Sequence, residues 1–328
     1  MPLRLLVLLL VGLVALAAAC GGSSSSSTTN NLNPGPGDVK LALDWYPNPD
    51  HVGIFAGMER GDFAARGMRL TLVAPSDVSD PIKLVAAKRV DLGVSYEPEV
   101  FFAAEKHIPV VAVAALVPTA LNSIIARTDR DIHQITDLRG KTIGVDGSAS
   151  TTAYVKTMLQ TAGVPIDSVH LVTVGFNLVP ALLSGRVDAI AGGFQNIEGI
   201  DIRAHGVATT VFPVDHYGVP SYDELVIIAN SDRMQSDANY RNEVRLFVTG
   251  LTKATSWARN HPAAAVAIMR KQSSRDYRGQ IAKSVPATLK LLQTSRLDPA
   301  AWRAFGTWMW SHGLLDVKPD GAALVTQP

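Results

Sequence analysis

Arg89-Val90-Asp91-Leu92-Gly93-Val94 returns further along the chain as Arg186-Val187-Asp188-Ala189-Ile190-Ala191. Each copy follows an apolar stretch with helical spacing, opens a short apolar run and leads into a polar or aromatic loop. That shared place in the strand–helix order, more than the three shared letters, predicts two similar lobes. Outward from the first copy, Val39 to Asp44, Met68 to Val73 and Val90 to Ser95 predict strands, while Val52 to Arg60 and Pro81 to Lys88 predict helices. Outward from the second, Lys141 to Val145 and His170 to Val174 predict strands. Thr151 to Gly163 and Val179 to Gly185 predict helices, and Asp223 to Asn230 another extended run. From Arg241 the pattern is helical, over Val244 to Arg259, Pro262 to Lys271, Ile281 to Thr294 and Pro299 to His312. Alternation of this kind favours βαβ units and a mostly parallel sheet. The expected architecture is α/β, with one lobe from 38–122 plus 226–328 and the other from 123–225. Leu121 to Arg127 and Asp223 to Asn230 are the expected crossings, a stiff two-strand hinge.

The chain has 328 residues, 47% of them hydrophobic, enough for two cored domains. Lys and Arg number 30 and Asp and Glu 29, which gives no electrostatic footprint for nucleic acid. A single cysteine excludes an intrachain disulfide and any multi-thiolate metal centre. That cysteine closes an export signal. Leu5 to Ala19 is an apolar run too short for a comfortable membrane span, and it ends in small residues against Cys20. Leu16-Ala17-Ala18-Ala19-Cys20 resembles a bacterial lipobox, although Ala17 stands where leucine is usual. The expectation is a signal peptide at 1–19, acylation of Cys20 and a flexible Gly/Ser/Thr/Asn tether at 20–37. The protein would then sit outside the cytoplasm, held to a membrane by lipid.

In open α/β sheets ligands bind outside the carboxyl ends of the strands. The loop after the first strand holds Trp45, Asn48 and His51; the one after Ser95 begins with Tyr96. The first crossing brings Asn122, the Gly147 to Thr152 turn brings Ser148 and Thr151, and the loop after Ala191 brings Asn196 and Glu198. Tyr222 precedes the return crossing. Several of these have plain structural readings. Trp45 could anchor a core, His51 could satisfy a helix start, and Ser148 could be an N-cap. Together they place aromatics, amides and a carboxylate from both lobes in one cleft, as a small nitrogenous ring requires. Glu97 and Glu99 read as solvated surface acids. No His-Glu-x-x-His, Cys-x-x-Cys, Gly-x-Gly-x-x-Gly, phosphate-loop lysine or Gly-x-Ser-x-Gly occurs, and no metal or cofactor is expected.

The run Leu43 to Phe55, with Trp45, Asn48 and His51 inside it, resembles the opening motif of ABC-transporter solute-binding proteins related to the yeast thiamin-pyrimidine synthase. Leu84 to Pro98, Leu121 to Ser123, Asp137 to Val145, Asn196 to Glu198 and Tyr222 to Leu225 extend the match. The resemblance implies a type II periplasmic-binding fold with two Rossmann-like lobes. It also implies a non-enzymatic receptor that delivers a thiamin pyrimidine precursor, such as formylaminopyrimidine, to an ABC permease. By position, Trp45 and Tyr96 would stack on the ring, Glu198 would face its amino edge, and Asn48, Asn196 and Tyr222 would complete the polar rim. His51 matches a histidine that the synthase branch consumes. That branch also carries a cysteine-rich motif, and here the only cysteine is Cys20. Two alternatives stay open: the same receptor role for a nitrate, sulfonate or riboflavin-like solute, and a synthase-like enzyme using His51.

Overall fold

The computed structural model describes residues 37–272 and 279–328. The expected signal peptide, Cys20 and nearly all of the tether lie outside the described residues; Gly37 belongs to the first strand. In chain order the first half gives β1 (Gly37–Ala42), α1 (Val52–Arg60), β2 (Met68–Val73), α2 (Asp80–Ala86), β3 (Leu92–Ser95), α3 (Glu97–Glu105) and β4 (Val110–Val117). The middle gives β5 (Asn122–Arg127), β6 (Thr142–Val145), α4 (Ala149–Thr161), β7 (His170–Thr173), α5 (Leu178–Leu183), β8 (Ala189–Phe194), α6 (Glu198–Ala204) and β9 (Thr209–Pro213). The chain ends with β10 (Leu225–Asn230), α7 (Ser231–Ser236), α8 (Ala238–Asn260), α9 (Pro262–Gln272), α10 (Ile281–Leu289) and α11 (Pro299–Ser311).

Two five-stranded mixed sheets result, ordered β2-β1-β3-β10-β4 and β7-β6-β8-β5-β9. In each, three strands run parallel and the fourth in the order is antiparallel to both its neighbours. This is a two-lobe α/β fold. The repeated Arg-Val-Asp string has a physical basis. Asp91 accepts a hydrogen bond from the backbone N–H of Lys40 in β1, and Asp188 one from Thr142 in β6, both at 2.9 Å. The backbone N–H of each aspartate returns the bond to the same neighbour. Val90 and Val187 are buried beside them. The motif therefore fastens the third parallel strand of each sheet to the first.

The expected crossings are corrected. Asn122–Arg127 and Leu225–Asn230 are each the antiparallel strand inside a sheet, not free connectors. Apolar extended runs of this kind are drawn into a sheet, where their backbone groups find partners. The connections between lobes are short: 118–121 on the way out and 214–224 on the way back. Five elements had no sequence assignment: α3, β4, α6, β9 and α7. Strand β4 is buried at every position, so it shows no alternation, and α3 begins with acids and a proline.

The long C-terminal helices cover the first sheet. Asp237 caps α8 by accepting from Asn239 and Tyr240 N–H groups, and Tyr240, Val244, Phe247, Leu251, Ala254 and Ala258 form its buried stripe. That stripe packs on α1 and on Phe63, whose ring stacks on Phe247 at 5.2 Å. Among the described residues no helix is long and apolar enough to cross a membrane.

Candidate functional site

The loop after β1 is held by its own polar groups. Asn48 accepts from Asp50 N–H at 2.8 Å and so starts the short turn that leads into α1. Asn48 N–H donates to His51 Nδ1 at 3.3 Å, which leaves the ring proton on Nε2, donated to Asp44 Oδ1 at 2.8 Å. The other Asp44 oxygen accepts from the Tyr96 hydroxyl at 2.9 Å. One buried carboxylate thus fixes both the loop and the aromatic ring at the start of α3.

Facing it, the second lobe supplies a helix N-terminus rich in hydroxyls. Asp146 accepts from Ser148 N–H and Oγ, both at 2.9 Å, and from Thr151 Oγ at 3.1 Å. Ser148 Oγ caps α4 by accepting from Thr151 N–H at 3.1 Å. Asn122 donates its amide to Thr151 Oγ and accepts from Gly192 N–H, both at 3.3 Å. Gly192 has φ +91°, and a Cβ there would lie 2.9 Å from an Asp146 oxygen. Only glycine fits that bend.

These two sets close on a small chamber of about 20 Å³, lined by Asp44, Trp45, Asn48 and Tyr96 from one side. Asn122, Asp146, Ser148, Ser150, Thr151, Gly192, Phe194, Ile197 and Glu198 line the other. A larger groove of about 620 Å³ adjoins it and shares Trp45, Asp146 and Glu198 with it. The lobes also meet directly. Ser150 N–H donates to Glu99 at 3.0 Å, and the Phe176 ring sits edge-on to Trp45 at 4.4 Å.

Burial sets the charge of the chamber. Desolvation pushes the Glu198 carboxyl up to about 7, against the hydrogen bond it accepts from Phe194 N–H at 2.8 Å. Asp146 also rises through burial, despite its three donors. Glu198 is therefore poised to carry or release a proton near neutral pH.

Of the residues expected from sequence, Trp45, Asn48, Tyr96, Asn122, Ser148, Thr151 and Glu198 stand on the chamber wall. His51, Asn196 and Tyr222 do not. His51 is fully buried behind the wall with both ring nitrogens engaged. Asn196 donates to Asp50 at 2.6 Å and to Thr288 at 2.7 Å, and Tyr222 donates to Glu224 at 2.9 Å. Each is turned away by a buried acceptor that outbids a solvated cleft. Glu97 and Glu99 are not solvated acids. Glu97 is 1% exposed, accepts from Asp223 N–H at 2.7 Å, and burial raises it well above the usual carboxylate range. Glu99, part-buried, is raised likewise. The sequence reading missed Asp44, Asp146 and Gly192 as wall residues. Their signal is position: Asp44 and Asp146 lie just past the carboxyl ends of β1 and β6, and Gly192 in the last half of β8.

With that geometry in place, the matches to known proteins fall into line. The model described as "NMT1/THI5 like" matches residues 48–265.

The chain belongs to the NMT1/THI5-like family.

A formylaminopyrimidine-binding protein of Halalkalibacterium halodurans is 31% identical to this NMT1/THI5-like chain over 301 residues, 88% of this chain and 90% of that one. A 4-amino-5-hydroxymethyl-2-methylpyrimidine phosphate synthase of Aspergillus parasiticus is 23% identical, over 69% of this chain and 68% of that one. Among solved structures, the alkanesulfonate-binding protein SsuA of Xanthomonas axonopodis pv. citri superposes with a TM-score of 0.70 at 14% identity. The superposition covers 90% of this chain and 99% of that one, and it establishes the two-lobe solute-binding fold. The family thus holds both binding proteins and synthases, so the site has to decide between them.

Proposed function

We propose that this chain is the receptor of an ABC importer, carrying a thiamin pyrimidine precursor of the formylaminopyrimidine kind. In this reading the lobe of residues 38–122 plus 226–328 closes on the lobe of residues 123–225. Cys20 holds the protein to a membrane outside the cytoplasm, and a permease takes the cargo.

One observation carries the reading: Trp45, from the loop after β1, and Glu198, at the start of α6, line both the chamber and the adjoining groove of about 620 Å³ from opposite sheets. A flat nitrogenous ring needs both an aromatic face and a paired donor and acceptor edge. A neutral aminopyrimidine presents a ring nitrogen that accepts beside an amino group that donates. A carboxyl group raised to about 7 matches that edge when it holds its proton, donating to the ring and accepting from the amino group. Tyr96, Asn48 and the Ser148–Thr151 hydroxyls would complete the grip.

The other readings meet specific obstacles. Among the described residues lining the chamber, Asp44, Asp146 and Glu198 are acids and none is lysine or arginine, which disfavours nitrate or sulfonate. A synthase that consumes His51 would need that ring in the cleft, whereas it lies fully buried behind Asp44. Native mass spectrometry of the purified protein, mixed with formylaminopyrimidine, nitrate and ethanesulfonate together, tests the choice. The expected spectrum carries the mass of one formylaminopyrimidine; an adduct with either anion instead would overturn the reading.

A further inference from the structure

We propose that the outer groove is a second subsite, built for a positively charged arm on the pyrimidine and hostile to an anionic one. The inference rests on the reading of Trp45 and Glu198 as the pyrimidine's partners, because those two residues and Asp146 line the chamber and the groove alike. A substituent that leaves the ring toward solvent enters the groove past those residues. At about 620 Å³ the groove is far larger than the chamber, with room for a second small ring or a short chain.

Its walls indicate the chemistry of that arm. Phe176 stands edge-on between Trp45 and Tyr46, with ring centres 4.4 and 5.0 Å away. Tyr46 is 45% exposed, so its ring is open to a molecule entering the groove. Exposed aromatic faces attract cations, and a flat cation can also stack on them. Acids surround these rings: Asp77 at the rim, then Asp146 and Asp201 further in. Asp77 accepts hydrogen bonds from both the N–H and the hydroxyl of Ser79, which hold it below the usual carboxylate range and so keep it charged. Among the described lining residues none is lysine or arginine. The one basic side chain, His205, faces the Asp201 carboxylate at 3.5 Å. A phosphate or sulfonate arm would meet like charge with no counter-ion, while a cationic arm would be drawn in.

The test uses three probes with one pyrimidine head: 4-amino-5-hydroxymethyl-2-methylpyrimidine, its phosphate ester, and thiamin, whose arm is a thiazolium cation. Calorimetric affinities for the purified protein should place thiamin roughly tenfold or more above the phosphate ester, a margin that shrinks in high salt. In Asp77→Asn and in Tyr46→Ala the ratio of thiamin to hydroxymethylpyrimidine affinity should fall. Because each ratio is internal to one variant, a partly misfolded sample does not imitate the effect. Should hydroxymethylpyrimidine bind while the phosphate ester matches or exceeds thiamin, the subsite is wrong and the pyrimidine reading survives. Should none of the three bind, both fall together.

Discussion

Glu224 accepts a hydrogen bond from the backbone N–H of Leu121 at 2.6 Å, tying the segment that leaves the first sheet to the segment that returns to it. The same oxygen accepts from Asn122 N–H at 2.8 Å and from the Tyr222 hydroxyl at 2.9 Å. One buried carboxyl therefore gathers both connections between the lobes at a single point, directly beside the chamber residue Asn122.

Removing that carboxyl leaves three buried donors with no acceptor. Each orphaned group costs about 1–3 kcal/mol, so Glu224→Ala should lower the thermal midpoint sharply, whereas Glu224→Gln keeps an acceptor and the fold. The pH dependence has a definite sign. Burial raises Glu224 to about 7 in the folded chain. A raised folded value adds stability that is complete below the unfolded carboxyl range and disappears as pH climbs through 7. Melting curves from pH 4.5 to 8.5 should show the advantage of wild type over Glu224→Gln shrinking as pH rises; a widening gap would contradict this.

The pyrimidine head should show a pH dependence of its own. If Glu198 donates its proton to the ring and accepts from the amino group, affinity falls above pH 7, by at most about tenfold per pH unit. Glutamine offers the same donor and acceptor pair without titrating. Glu198→Gln should therefore bind within about fivefold of wild type and lose the pH slope. Affinity that rises with pH in calorimetric titrations would mean that Glu198 acts only as an ionised acceptor.

Gly192 makes a more local prediction. Gly192→Ala forces an L side chain to φ +91° and pushes a Cβ against Asp146. The backbone term alone is roughly 1–2 kcal/mol, and the displaced Asp146 carries Ser148 and Thr151 with it. Ligand affinity should drop along with the melting temperature. A variant as stable as wild type and binding as well would show that this bend does not shape the chamber.

Much of this was legible before any coordinates. The Arg-Val-Asp strings pointed to paired lobes through their shared place in the strand–helix order, and in the fold each aspartate accepts a bond from the first strand of its own sheet. Trp45 and Glu198 were legible as strand-end residues of unusual type. Strand β4 was not, since a strand buried on both faces has no alternating pattern to read. Asn196 and Tyr222 belong to the rim only by their position in the family resemblance. Glu224 stands only two residues from Tyr222, but Asp50 is brought to Asn196 only by the folded chain. The same holds for Glu97, whose partner Asp223 lies far along the sequence. Sequence tells which polar residues stand near a strand end, but not which of them a buried acid has already claimed.

The most direct test of the central claim is calorimetric titration of formylaminopyrimidine into wild type, Trp45→Ala and Glu198→Ala. The account predicts one site per wild-type chain and a loss of about 1–3 kcal/mol, roughly 5–150-fold, in each variant. Wild type that gives no binding heat, or variants that both keep full affinity, would contradict it.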